Sequence, residues 1–258
     1  MTKFRAFLVH FLLSTTIFVS VILLVAFAWY PSIYLEASGV WMALRMVALV
    51  DVGLGPLMTL ILFRKNKPGL KFDLSVVACV QVIALCYGVW VLYSQKPVLT
   101  VFHDGFYICL DQSQVDYSGV KLDRFDDGRF VVPIAILPKL SEQQSKEWHA
   151  RQALLPEGYP KHPAFVYGES LVEYNPATLP MVLEDEWDLS RQLELSAEDK
   201  AIWLEYQNEF GTDSGHAYFV FTCGKHQYMT VMNPKSGELE ATLDISFLNA
   251  RQKRLIKP

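Results

Sequence analysis

Three long apolar segments occupy most of the first 95 residues of the chain. They run over residues 7–29, 40–63 and 72–93. Each is longer than the ~20 residues that an α-helix needs to cross a hydrocarbon core of ~30 Å. We therefore expect three transmembrane helices, and the short connections between them make these helices antiparallel neighbours.

The basic residues beside these segments predict how the chain crosses the membrane. Lys3 and Arg5 precede the first segment, and four basic residues lie in the connection 64–71. The connection 30–39 contains a single charged residue, Glu36. Because lysine and arginine favour the cytoplasmic side, we expect the N-terminus inside and the chain after the third segment on the opposite side.

The first segment also has to be compared with a cleaved signal peptide. Its apolar stretch exceeds the about 7–15 residues of a signal-peptide core, and no small-residue cleavage site follows it. Trp29, Tyr30 and Pro31 stand where an interfacial aromatic belt and a helix stop are expected. These features predict a retained membrane anchor.

The formal net charge of −4 is divided unevenly between two predicted domains. Residues 1–95, the three-helix transmembrane domain, carry a net charge of +4, and residues 96–258 carry −8. The second domain is long enough to bury a core of its own. Its negative charge argues against nucleic acid as a partner. The charge either keeps the domain soluble or, alternatively, allows it to bind a partner with a basic surface.

Apolar alternation and turn residues predict an α+β fold for residues 96–258, with a mainly antiparallel sheet. Asp104-Gly105 is a strong signal for a hairpin turn, and a meander of three strands is expected at the end of the domain. The predicted strands are 98–103, 105–110, 216–223, 227–232 and 239–245, and the predicted helices are 141–152 and 196–210. The proline-rich stretch 154–180 is expected to be an irregular surface excursion.

A carboxylate near the middle of the second apolar segment is the most informative single residue. Asp51 has to face the interior of the bundle, find a partner or be protonated, because a charge in the membrane is costly. Gln81 and the hydroxyl residues 14–16 lie at similar depths, so a hydrogen-bonded cluster of Asp51, Gln81 and one of these hydroxyls is geometrically allowed. Such a cluster either links the helices or receives another membrane protein; a proton or ion path is the alternative.

The glycines and the proline that follow Asp51 predict an irregular second helix. Pro56 removes a backbone donor, which indicates a kink. Gly53 and Gly55 let another backbone approach closely. The expected result is a kinked helix that packs tightly on a neighbour.

The two cysteines of the second domain allow two interpretations. Cys109 and Cys223 both fall in predicted strands and form a disulfide if their compartment is oxidising. The alternative is a pair of buried free thiols, because the sequence does not give the distance between the two Cα atoms.

No specific catalytic or metal-binding motif occurs in the sequence of the second domain. It has no G-x-S-x-G elbow, no C-x-x-C and no H-E-x-x-H. We therefore expect a protein that is not an enzyme and that needs no metal or other cofactor.

Several short runs stand out in the first 102 residues: 3–10 (KFRAFLVH), 29–31 (WYP), 50–60 (VDVGLGPLMTL), 70–74 (LKFDL) and the stretch from Tyr87 to Val98. In their order and spacing these runs resemble the TfpX/TfpZ family of type IV pilin accessory proteins. The resemblance implies an inner-membrane protein of a Gram-negative bacterium with a periplasmic C-terminal domain. It also implies a non-enzymatic role in the assembly or surface display of a cognate type IV pilin.

This resemblance gives the intramembrane cluster a hypothetical partner. Asp51, Gly53, Gly55, Pro56 and Gln81 are then candidates for contact with the apolar N-terminal helix of a pilin. Two rival hypotheses remain, namely a membrane-anchored periplasmic sensor or ligand-binding module and a small transporter or channel subunit. A membrane enzyme has the least support from the sequence.

Overall fold

The computed structural model divides the chain into two compact units, which are described separately. The first unit comprises Met1–Leu35 and Gly39–Lys96, and the second comprises Glu36–Ser38 and Pro97–Pro258. The residues that the structure describes are 2–65, 67–125, 128, 132–187, 197–211, 215–224 and 226–245. Ser196, the first residue of the predicted helix 196–210, lies outside these residues.

The first unit contains three helical spans that are long and apolar enough to cross a membrane, as predicted. The first span is α1 (Lys3–Leu24) with a closing π-helical turn, Val25–Trp29. A short helix, α2 (Ile33–Ala37), follows in the chain, and its last two residues are assigned to the second unit. The second span is interrupted: α3 (Val40–Ala48) leads through a π-helical turn, Leu49–Leu54, into α4 (Gly55–Leu62). The third span is the uninterrupted helix α5 (Leu70–Ser94).

The side chains of the first unit are distributed in the pattern expected for a bundle surrounded by lipid. Large apolar residues such as Phe27 and Ile83 are exposed, whereas polar Ser14, Asp51 and Thr59 are buried between the helices. A hydrocarbon solvent offers polar groups no hydrogen bonds, so they are satisfied best inside the bundle. This distribution identifies the inner face of the second span as the polar centre of the unit.

The second unit is an α+β domain built on one seven-stranded sheet. Its strands are β1 (Leu99–His103), β2 (Phe106–Leu110), β3 (Ile134–Ile136), β4 (Val172–Glu173), β5 (Ala217–Cys223), β6 (His226–Met232) and β7 (Leu239–Leu243), in the spatial order β4-β3-β1-β2-β5-β6-β7. Its helices are α6 (Gln112–Ser118), α7 (Glu142–Arg151), α8 (Leu179–Leu183) and α9 (Ala197–Phe210).

The sheet is mixed, so the expectation of a mainly antiparallel sheet is wrong. The β1–β2 hairpin and the β5–β6–β7 meander are antiparallel, as predicted, and so is the β3–β4 pair. However, β1 pairs in parallel with β3, and β2 pairs in parallel with β5. The hairpin thus stands between strands that come later in the chain, and the long connections supply the crossovers that parallel pairing requires.

The hairpin turn follows directly from its two residues. Asp104 and Gly105 have φ values of 50° and 80°, the left-handed conformations of a type I′ turn. This turn matches the twist of the strands and sets the register in which His103 pairs with Phe106. One sheet face carries Leu99, Val101, Ile108 and Leu110 into an apolar core that is completed by residues from α6 and the 154–180 stretch.

The proline-rich stretch 154–180 differs from the predicted surface excursion. Pro163, Ala164 and Phe165 form a buried 3₁₀ turn, and Leu171 is also buried. The chain is irregular, as the prolines require, but it forms part of the core of the second unit.

Candidate functional site

The π-helical turn in the second span removes the usual hydrogen-bond partners of one backbone carbonyl. The N–H of Gly55 donates to the carbonyl of Val50, five residues earlier, where α-helical geometry would direct it to Asp51. The residue five positions after Asp51 is Pro56, which has no N–H to donate. The carbonyl of Asp51 therefore needs a partner from another part of the bundle.

Gln81 of α5 supplies that partner. Its Nε2 donates to the Asp51 carbonyl over 3.2 Å. The approach depends on Gly55, because a Cβ built on this glycine would overlap the amide group of Gln81, with Oε1 only 2.7 Å away. Asp51, Gly55, Pro56 and Gln81 thus form one interlocked contact, which we call the carbonyl clasp.

The carboxyl group of Asp51 is enclosed at the same place. The residue is only 6% exposed, and its Oδ2 has no hydrogen-bond partner among the residues that the structure describes. A buried carboxyl oxygen without a donor is unusual, and buried ionisable groups of this kind mark functional positions in membrane proteins.

A second polar contact joins the first span to the same face of the second. Nδ1 of His10 lies 2.6 Å from Oγ1 of the buried Thr59. Neither residue is among the candidate contact residues predicted from the sequence. The sequence does contain a signal for Thr59. Asp51, Gly55 and Thr59 are spaced four residues apart, which places them on one helix face.

The hydroxyl residues of the first span make different contacts from those expected. Thr16 Oγ1 donates to the carbonyl of Leu12 in its own helix. Thr15 Oγ1 is buried and has no partner within the described chain. Ser14 is buried, but no hydrogen bond joins it to the clasp among the described residues.

Gly53 is separate from the clasp. It is exposed, and a Cβ built there would meet only its own helix, at 3.9 Å from Leu49 Cδ1 and 4.0 Å from the Ala48 carbonyl oxygen. The structure therefore brings four of the five candidate contact residues together and places the fifth on the outer surface of the second span.

The two cysteines of the second unit are joined in the structure. Cys109 and Cys223 lie at the end of the parallel β2–β5 ladder, with their Cα atoms 4.9 Å apart, and form a buried disulfide. This Cα separation is close to the ordinary distance between neighbouring strands. Among the described residues, no group of three or more His, Cys, Asp or Glu could hold a metal ion.

Comparison with known proteins gives three relatives from Dichelobacter nodosus. The fimbrial assembly protein of serogroups C1 and C2 is 36% identical over 97 residues, which cover 36% of this chain and 73% of the relative. The fimbrial assembly proteins of serogroup E1 and serogroup I are 35% and 36% identical over 97 residues. No family model and no solved structure matches.

The extent of these matches differs between the relatives. The chain spans only 37% of the length of the serogroup E1 and serogroup I proteins. It covers nearly three quarters of the relative from serogroups C1 and C2, at an identity that indicates common descent. The chain therefore belongs to the family of fimbrial assembly proteins.

Proposed function

We propose that this protein is an integral inner-membrane accessory factor of the TfpX/TfpZ kind, which assists the assembly or surface display of a cognate type IV pilin. The names of the D. nodosus relatives support a role in fimbrial biogenesis and carry the proposal. The three apolar spans support residence in a membrane. The protein acts without catalysis and without a cofactor, in agreement with the lack of catalytic motifs in the sequence.

The proposed orientation places the N-terminus in the cytoplasm and the second unit in the periplasm. The basic connection between the second and third spans supports this orientation. The Cys109–Cys223 disulfide supports an oxidising compartment for the second unit. In this orientation the protein can contact both the membrane helix and the periplasmic head of a pilin.

Thiol counting tests the compartment of the second unit. Without reductant, the denatured chain is expected to gain two polyethylene glycol maleimide chains, on the free Cys79 and Cys86. After reduction it is expected to gain four, because the disulfide then opens. The measurement is the shift on a denaturing gel of protein taken from acid-quenched cells. A Cys109→Ser variant is the control, and four additions without reductant would contradict a periplasmic location.

The candidate contact residues have two different roles in this proposal. Asp51, Gly55, Pro56 and Gln81 face the interior, so they act by holding the π-helical turn in shape. Gly53 lies on the outer surface of this turn, where the absence of a side chain lets another apolar helix approach. We assign the pilin contact in the membrane to this outer surface.

Surface pili in a deletion strain test the function itself. Loss of surface pili with normal total pilin, restored by the full-length gene, is the expected result, and it would place the protein in assembly or fibre stability. Pili are counted by electron microscopy and total pilin by immunoblot. Unchanged pili and unchanged pilin would refute the proposal.

The same strain tests the membrane contact. A Gly53→Leu variant fills the outer surface of the turn without touching the clasp, so it is expected to be present at normal levels and to restore fewer pili. The control is Met46→Leu, an exposed apolar exchange in the same span. Full piliation with Gly53→Leu would remove Gly53 from the contact with the pilin.

A further inference from the structure

The second unit contains an open cleft of about 750 Å³ that the proposed function does not use. This volume is in the range of small-molecule sites. The cleft lies beside the end of β1 and is bounded by α7 and by the loop that precedes Pro163. We call it the β1–α7 cleft, and the residues that matter most in it are His103, Phe106, Trp148, Lys161 and His162.

The position of the cleft follows from the parallel pairing of β1 with β3. Phe102 pairs with Ile136, so both strands end at the same edge of the sheet. His103, the last residue of β1, and Lys139, which follows the end of β3, both line the cleft. A crevice at the carboxyl ends of parallel strands is a common location for ligands in α/β sheets.

Two imidazole rings form one wall of the cleft. The His103 and His162 ring centroids are 5.8 Å apart in an edge-to-face arrangement. Nδ1 of His103 donates to the carbonyl of Leu137 over 3.0 Å. Nδ1 of His162 accepts from the N–H of Ala164 over 3.2 Å, which places the His162 proton on Nε2.

The Nε2–H group of His162 has an unmet hydrogen bond. His162 is only 5% exposed, and this atom has no partner among the described residues. A buried donor without an acceptor is costly, so a ligand that offers an acceptor at this wall restores a lost hydrogen bond.

The adjacent lysine provides an uncommitted positive charge. Lys139 is already engaged, with its Nζ 2.9 Å from Asp185 and 3.7 Å from Glu184. Lys161 is exposed at the cleft, and no ion pair engages it within the described part of the chain. A free ammonium group beside a buried N–H donor suits an anion, although the predicted domain 96–258 is acidic as a whole.

We infer that the β1–α7 cleft binds a small-molecule carboxylate with an apolar or aromatic body. The carboxylate contacts Lys161 and the Nε2–H of His162, and the body packs against Phe106 and Trp148. This inference goes beyond the proposed role in pilus biogenesis and does not depend on it.

Phenylacetate is a suitable probe, and its neutral isostere phenylacetamide isolates the charge. The full-length chain in lipid nanodiscs is titrated with each probe, and binding is followed by ligand-observed saturation-transfer NMR. Phenylacetate is expected to bind in the millimolar range. Phenylacetamide and the Lys161→Ala variant are each expected to bind about tenfold more weakly, because each removes one charge-assisted contact.

A matched substitution outside the cleft provides the control. Lys235→Ala removes an exposed lysine from the turn between β6 and β7 and is expected to leave the affinity for phenylacetate unchanged. Equal binding of the two probes would overturn the inference of an anionic ligand. An undiminished affinity in Lys161→Ala, or no binding of phenylacetate at about 10 mM, would overturn the site itself.

Discussion

Replacing Gly55 with Ala is expected to destabilise the three-helix unit by about 1–3 kcal/mol. The new Cβ overlaps the amide of Gln81, which is the flexible end of its side chain and turns away. The principal cost is therefore the hydrogen bond to the Asp51 carbonyl, which is left unpaired in an apolar environment. The measurement is reversible unfolding of the full-length chain in mixed micelles, with the free energy extrapolated to zero denaturing detergent.

A double-mutant cycle distinguishes this mechanism from a general packing defect. Gln81→Leu removes the same hydrogen bond, so the Gly55→Ala/Gln81→Leu pair is expected to cost less than the sum of the two single changes. Gly53→Ala is the matched control, because a Cβ at Gly53 meets no other helix and alanine is the better helix former. Additive costs in the cycle, or an equal loss from Gly53→Ala, would show that the clasp does not stabilise the unit.

In the three-helix unit, the features that can be predicted from the sequence are those that follow from the chemistry of neighbouring residues. The three spans follow from the length of the apolar runs, and Asp51 and Gln81 follow from the cost of polar groups in lipid. The π-helical turn was not predicted. Pro56 indicates only that one backbone hydrogen bond of the helix is missing. Whether the helix then kinks or forms a π-helical turn depends on the hydrogen-bond donor that a neighbouring helix offers. Here that donor is Gln81.

The sheet of the second unit likewise shows that contacts between distant parts of the chain cannot be predicted from local sequence. The β1–β2 hairpin was predicted because Asp104 and Gly105 specify a turn between adjacent strands. The parallel pairing of β2 with β5 joins residues more than 100 positions apart, and no local pattern encodes it. The proximity of Cys109 and Cys223 is a consequence of this pairing, so the sequence left the choice between a disulfide and two thiols open.

The sequence does not identify His162 as a buried residue, for a related reason. It lies in a proline-rich stretch whose composition indicates a surface loop. Its burial results from the packing of the adjacent Ala164 and Phe165 into the core of the second unit. A single histidine among prolines carries no signal of that packing.

This burial makes the second unit sensitive to acid. Burial, reinforced by the neighbouring His103, lowers the pKa of His162 to about 3. The same side chain has a pKa of about 6.5 in an unfolded chain. Between these two values the unfolded state binds the additional proton, so stability is expected to fall as the pH decreases from about 6.5 toward 3. The full effect is of the order of 3–5 kcal/mol.

Urea unfolding of the full-length chain in nanodiscs, followed between pH 4 and pH 7.5 by tryptophan fluorescence, measures this contribution. Carboxylates also titrate in the lower half of this range, so the informative quantity is the difference between variants. His162→Asn is expected to lose stability at pH 7.5 but to show a flatter decline with acid, because the residue that must remain neutral is gone. His149→Gln, which replaces an exposed histidine of α7, is expected to retain the wild-type slope. If His162→Asn kept that slope as well, protonation of His162 would not be the cause of the acid sensitivity.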